Sequence, residues 1–352
     1  MNPEKIIKPV CLLLALALLG YAGRSLASKG TARYKPDYKP MLAAPRQKPV
    51  RIILDTDIAP DFDDAGAMAV LHALADKGEA KILATVSCNR YPGCAPLLEV
   101  INNYYKKPAI PIGAVKNEGA NFGDKNKWNE VVVANFPHKL QTTDEAPDAI
   151  GVYRSVLAKQ PNNSAVIVTI GFLTNLKNLL QSGPDKYSKL DGAALVAKKV
   201  KRLVVMGGAF PQGKEFNIHI DASSSKYTFA HWPTPVLFSG VEIGNKILTG
   251  NRLIQQASAH NPIRQSYEYC LKTYQGKTHP TGRMSWDQTA VLAAVRGPEP
   301  YWKAITGQIK INEDGTNEWI AGGSKQHSYL VEKMPPEEVA VIIEDLMLHE
   351  PR

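Results

Sequence analysis

Cysteine is scarce, with four in 352 residues. Cys11 sits inside an N-terminal apolar run, which leaves Cys88, Cys94 and Cys270 for the rest of the chain. Three thiols exclude a fully paired monomer. Cys88 and Cys94 are close enough in sequence to pair in an oxidising compartment, or to stand as free thiols. None of the three has the Cys and His spacing of a zinc site. Apolar runs of membrane-spanning length are also missing. Val10 to Leu19 is too short to span comfortably. No internal repeat occurs, and no linker follows residue 48, so a single domain is expected. A fingerprint of a nucleic-acid-binding fold is absent too. The net charge of +9 is scattered, except at Lys198-Lys199-Val200-Lys201-Arg202. That cluster ends a predicted helix, where basic side chains complement the helix dipole. Nucleic acid is therefore not an expected partner.

What is present begins with a leader. Lys5 and Lys8 precede the apolar run, and Ser25-Leu26-Ala27 follows as a small-residue cleavage site. Residues 1–27 read as a signal peptide of an exported protein, periplasmic or secreted. An uncleaved N-terminal anchor is the alternative; after cleavage no membrane span is expected. Residues 28–48 read as an extended lead-in and 49–352 as the folded domain. With 44% hydrophobic and 21% charged residues, that stretch can bury a large core.

Apolar strand patterns at 49–54, 80–87, 109–114, 164–170, 200–206 and 235–238 alternate with helical ones. This predicts an α/β fold, an open and mostly parallel sheet with helices on both faces. Residues 116–148 break the rhythm and read as a long loop. A hairpin is expected at Glu313-Asp314-Gly315, and a final helix from Pro335 to about Leu348.

The first predicted strand ends in a dense acidic turn: Asp55, Asp57, Asp61, Asp63 and Asp64. A solvated loop with a helix cap is the bland reading. However, such carboxylates repel one another unless a cation offsets them, and parallel sheets bind ligands beyond the carboxyl ends of their strands. Asn89, Thr169 and Gly207-Gly208 fall at other strand ends, on the same expected edge.

Leu54-Asp-Thr-Asp57, Asp63-Asp64-Ala65, Thr169-Ile-Gly-Phe-Leu-Thr-Asn175, Met206-Gly-Gly208, Glu215-Phe-Asn217 and Trp286-Asp287 follow one another in this order. They resemble the ordered motifs of the nucleoside hydrolase family of the inosine-uridine-preferring type, over roughly residues 50–300. The resemblance implies an N-ribohydrolase that splits a small ribonucleoside into ribose and base with a bound calcium ion. It implies Asp57, Asp64, the Thr169 carbonyl and Asp287 as calcium ligands. Asp57 would also be the general base that takes the proton of the attacking water. Asp63, Asn89, Glu215 and Asn217 would hold ribose hydroxyls, and Asp55 would orient the ligands from behind. A homo-oligomer is possible.

Two departures stand out. The turn between Asp57 and Asp63, Ile58 to Phe62, is longer than the pattern has, so Asp61 competes with Asp63 for a role. Trp286 replaces a histidine that assists the departing base; it could stack on the base instead. His138, Tyr274, His279 and Arg283 are candidate donors. Two other readings stay open. One is a periplasmic nucleoside- or sugar-binding protein on the same scaffold. The other is a phosphatase of the haloacid dehalogenase class, which also uses a strand-end DxD but carries its acidic pair late in the chain.

Overall fold

The computed structural model describes residues 48–274, 282–323 and 326–351. The expected leader, the lead-in up to residue 47, and His279 lie outside the described residues. Residues 47–352 cluster as one compact unit.

Twelve strands occur among the described residues: β1 (Val50–Thr56), β2 (Ala80–Ser87), β3 (Ile112–Ala114), β4 (Ala165–Thr169), β5 (Val200–Met206), β6 (Gln212–Lys214), β7 (Val236–Ser239), β8 (Leu248–Thr249), β9 (Arg283–Met284), β10 (Trp302–Ile311), β11 (Thr316–Ala321) and β12 (His327–Glu332). Ten form one sheet in the order β3-β2-β1-β4-β5-β7-β12-β10-β11-β6. Neighbours from β3 to β12 are parallel. From β12 onward, β10, β11 and β6 pair antiparallel. The expected mostly parallel α/β sheet is therefore present, with an antiparallel end.

Side chains on β1 alternate as the two-residue period of a strand demands. Ile52 and Leu54 enter one core, and Ile53 enters the other. Both faces are thus covered, as parallel sheets require. On the first face lies the helix Asp63–Asp76, whose run of Ala and Gly lets it pack against the helices Trp286–Arg296 and Pro336–Met347. Gly66 lies on the packed face of this helix. A Cβ there would stand 2.5 Å from both Gln288 Nε2 and Tyr267 Oη. A side chain at 66 would therefore force the ends of these two buried side chains to shift.

Three differences from the sequence reading bear on the site. Strand β1 runs on through Asp55 and Thr56, so Asp55 faces the interior rather than the turn. The sequence pattern predicts a helix from Ala290 to Val295; the helix begins instead at Trp286, which brings Asp287 into its first turn. The stretch 116–148 contains a short helix, Trp128–Val133, and a 3-10 turn, Thr143–Glu145. Strand β12 was not foreseen. Its sequence, His327-Ser-Tyr-Leu-Val-Glu332, carries little apolar signal, and non-local pairing with β7 and β10 creates it. Cys88, Cys94 and Cys270 are free, buried thiols. No helix among the described residues is long and apolar enough to cross a membrane.

Candidate active site

The carboxyl ends of β1 and β5, the helix starts at Asp63, Phe216 and Trp286, and the segment before Phe216 surround a cavity of about 330 Å³. That volume is within the range of small-molecule sites. Asp57, Asp61, Asp63, Asp64, Glu215, Asn217, Trp286 and Asp287 line it, together with Pro60, Ile170, Met206, Lys214, Phe216 and Val241.

Three of the carboxylates, Asp63, Asp64 and Asp287, are buried, with oxygens within 4.8 Å of one another. The main-chain N–H of Asp287 donates to Asp63 Oδ2 at 3.1 Å, and the Thr56 hydroxyl donates to Asp64 Oδ1. If all three were ionised, each pair would cost roughly 3–4 kcal/mol at an effective dielectric near 20. The three pairs together would rival the whole stability of a domain, about 5–15 kcal/mol. Burial pushes the carboxyls of Asp57, Asp63, Asp64 and Asp287 well above their ordinary range, and their mutual repulsion adds to the effect. An all-oxygen donor set under such repulsion suits a hard cation.

Other residues brace this set. Asp55 is fully buried; it accepts from the Tyr153 hydroxyl at 2.7 Å and from Asn175 Nδ2 at 3.2 Å. Burial raises its pKa to about 7. Thr169 pairs with Asp55 in register, and the next residue, Ile170, reaches the cavity. Gly171 fits against the turn so closely that a Cβ would lie 2.7 Å from both Asp57 Cβ and Cys88 Sγ. Asn89 does not line the cavity. Its amide nitrogen donates to the carbonyls of Asp57 (2.8 Å) and Phe122 (2.6 Å), and its oxygen accepts from the N–H of Tyr91 (3.2 Å) and Phe122 (3.0 Å). Glu215 caps the helix Phe216–Ile220, accepting from the N–H groups of Gly208, Asn217 and Ile218 while it faces the cavity. Burial raises its carboxyl, and these N–H groups oppose the rise.

The longer turn is packed rather than loose. Ile58, Ala59 and Phe62 are buried. Trp128 Nε1 donates to Ala59 O at 2.9 Å, and Phe62 meets Tyr267 edge-on at 5.0 Å. Asp61 takes no place in the carboxylate trio. Arg283 engages both of its oxygens, through Nε at 3.1 Å and through Nη2. The Arg283 guanidinium lies over the rings of Phe62 (5.3 Å) and Trp286 (4.8 Å). Trp286 spends its indole N–H on Val241 O (3.1 Å) and Asn245 Oδ1 (2.9 Å), so it presents an apolar ring to the cavity. His138 Nδ1 pairs with Phe136 O at 2.7 Å, away from the cavity. Sequence reasoning missed Lys214 and Phe216 as lining residues. Their place beside Glu215 in the Glu-Phe-Asn motif was the available signal.

A strand-end carboxylate cavity on a mostly parallel sheet is the setting in which known proteins can be compared. Residues 52–341 match the family described as inosine-uridine preferring nucleoside hydrolase. The chain belongs to that family and is a hydrolase of N-glycosyl bonds, acting on small nucleosides. Among solved structures it is similar to a purine-preferring ribonucleoside hydrolase from Gardnerella vaginalis, at TM-score 0.65 and 16% identity, over 84% of this chain and 98% of that one. It is also similar to the plant nucleoside hydrolase PpNRh1, at TM-score 0.63 and 18% identity, over 85% and 99%. A third is the type III effector protein XopQ complexed with adenosine diphosphate ribose, at TM-score 0.64 and 15% identity, over 86% and 94%. At such identities the likeness shows the fold alone. No curated protein sequence matches the chain.

Proposed function

We propose that this chain hydrolyses the N-glycosidic bond of ribonucleosides with the help of a calcium ion, releasing ribose and a free base. The observation that carries the reading is the buried trio Asp63, Asp64 and Asp287, beside Asp57, in a cavity that also exposes Glu215 and Asn217. Asp57, Asp64, Asp287 and the Thr169 carbonyl would hold the ion. When bound, the ion would offset the carboxylate repulsion and acidify a water in the cavity. Asp57 takes the proton of the attacking water. Asp63, Glu215 and Asn217 accept or donate hydrogen bonds to the ribose hydroxyls. The sugar develops positive charge as the bond to the base breaks, and the surrounding carboxylates stabilise it. Asp55, held by Tyr153 and Asn175, fixes β1 beneath Asp57. Asn89 ties the backbone of Asp57 to that of Phe122, which favours a bracing role. The segment from Lys5 to Ala27 supports export; finding the enzyme in the cytoplasmic fraction would count against it.

The test is release of reducing sugar from a nucleoside panel. Release should stop in chelator and return with calcium. Asp57→Asn should lower kcat by about 10²–10⁴. Tight nucleoside binding with no turnover in the calcium-loaded wild type would overturn the proposal in favour of a binding protein.

A further inference from the structure

A second cavity of about 190 Å³ adjoins the first, and Pro60 and Asp61 line both. Its polar groups are Asp61, Asp124, Tyr274 and Arg283, set against the rings of Phe62 and Trp128. The Tyr274 hydroxyl bonds to Asp124. We propose that this cavity receives the departing base, and that Arg283 stabilises the negative charge released onto it. The inference rests on the N-glycosidic reading above.

The argument is one of charge. When the bond between the sugar and the base breaks, its electron pair goes to the base. Carboxylates line both cavities and oppose an anion; in the smaller one Arg283 pairs with Asp61, whereas in the larger one Lys214 is the only cation among the described lining residues. Lys214 is exposed at the end of the three-residue edge strand β6. Arg283 is different. Its side chain is only 16% exposed, fixed by two contacts to Asp61 and held over the rings of Phe62 and Trp286. A donor held in place before the reaction contributes more than one that must be ordered during it. A guanidinium has five N–H donors and stays protonated, so Arg283 can hold Asp61 and still meet an acceptor on the base. The contact with Trp286, which lines the larger cavity, places the cation at the boundary between the two spaces.

The step balances. The C1′–N bond breaks, and water supplies the hydroxyl to C1′. The water proton passes to Asp57, and the base anion takes a proton from solvent after it leaves. Arg283 gives up no proton. The longer turn acquires a purpose in this scheme, since it brings Asp61 to Arg283.

The test compares two ribosides with the calcium-loaded enzyme: inosine, whose base leaves poorly, and p-nitrophenyl riboside, whose leaving group is a stable anion without help. Arg283→Gln should lower kcat/KM for inosine at least ~30-fold more than for p-nitrophenyl riboside, within the ~10²–10³ that one fixed donor supplies. Arg283→Lys should recover part of that difference. Lys214→Met should shift the ratio of the two substrates less than ~3-fold, being no partner of the base in this scheme. Equal losses on both substrates in Arg283→Gln, no loss on either, or a selective loss in Lys214→Met would overturn the assignment. If Arg283→Gln fails to fold by circular dichroism, Asp61→Asn carries the test; it should shift the ratio in the same direction, and an unchanged ratio overturns the proposal. If the wild type cleaves neither riboside, the hydrolase reading has failed, and this inference falls with it.

Discussion

Arg154 and Asp64 are both buried charges, and they live in opposite surroundings. Arg154 is ringed by partners. Its Nε stands 2.8 Å from Asp185 Oδ2, and its other nitrogens donate to Ser182 Oγ (2.9 Å) and to the carbonyls of Ser188 (3.1 Å) and Leu190 (2.8 Å). The pairing shows in Asp185, which the Arg154 hydrogen bond pulls down to about 2. Asp64 has the Thr56 hydroxyl as a donor and other carboxylates as its charged neighbours, and burial pushes its carboxyl up. Charge matched within the chain serves the fold: Arg154 ties the segment 182–190 to the helix Ala149–Ala158. Charge left unmatched is held in place by the fold at a cost, and a ligand must match it. Asp61 stands between the two cases: its ion pair with Arg283 lies within the chain, yet Asp61 lines both cavities and Arg283 the smaller one.

The largest test of this contrast is Asp64→Asn. Activity should fall about 10³-fold, because the variant removes a ligand and a charge that the reaction uses. Stability should move the other way. In chelator, the variant should melt at or above the wild type, since a buried carboxyl whose ionised form is opposed by burial and by its acidic neighbours is gone. The Asn side chain can still accept from Thr56. Paired thermal melts with and without calcium read this directly, and a variant that melts lower in chelator would break the contrast.

Arg154→Met should do the reverse. Asp185 is exposed and stays solvated without its partner, so the cost is the lost donors to Ser182, Ser188 and Leu190, about 1–3 kcal/mol, measured as a lower urea midpoint. The folded fraction should keep kcat/KM within ~3-fold, because Arg154 reaches no part of the cavity. A large loss of activity at full folding would mean that the two regions are coupled.

Much of this was readable from residues alone, for reasons that are themselves physical. The parallel half of the sheet announced itself through continuous apolar runs such as Ile52-Ile-Leu54 and Leu203-Val-Val205, buried on both faces. The cavity's carboxylates were readable because they fall at strand ends and helix starts, where local pattern and ligand geometry coincide. What could not be read depends on contacts far apart in the chain. Asp61 and Arg283 are 222 positions apart, and nothing local to either predicts the pair. Trp286 is expected from the sequence to stack on the base, but no local pattern shows that Val241 and Asn245 take up its N–H. Asn89 carried a strand-end signature like its neighbours', yet its side chain turns to the backbone of two loops. Strand β12 exists through its partners more than its composition.

The smallest test concerns a buried base whose partners are neutral. His72 is fully buried in the helix Asp63–Asp76, stacked on Tyr105 at 4.4 Å, with Nε2 3.0 Å from Asn102 Oδ1. Burial, helped by the nearby Lys107, lowers its pKa from 6.5 to about 3. The folded state therefore holds His72 neutral, while the unfolded chain binds a proton below about 6.5. Its contribution is complete above that pH and is lost as pH falls toward about 3, with a slope of up to ~1.4 kcal/mol per pH unit. His72→Gln keeps a group that can bond to Asn102 but has no proton to gain. The wild type should lose more urea stability than the variant between about pH 7 and about pH 5. Equal slopes would show that the histidine finds a way to charge in the fold, and that burial with neutral partners is less strict than burial among matched or unmatched charges.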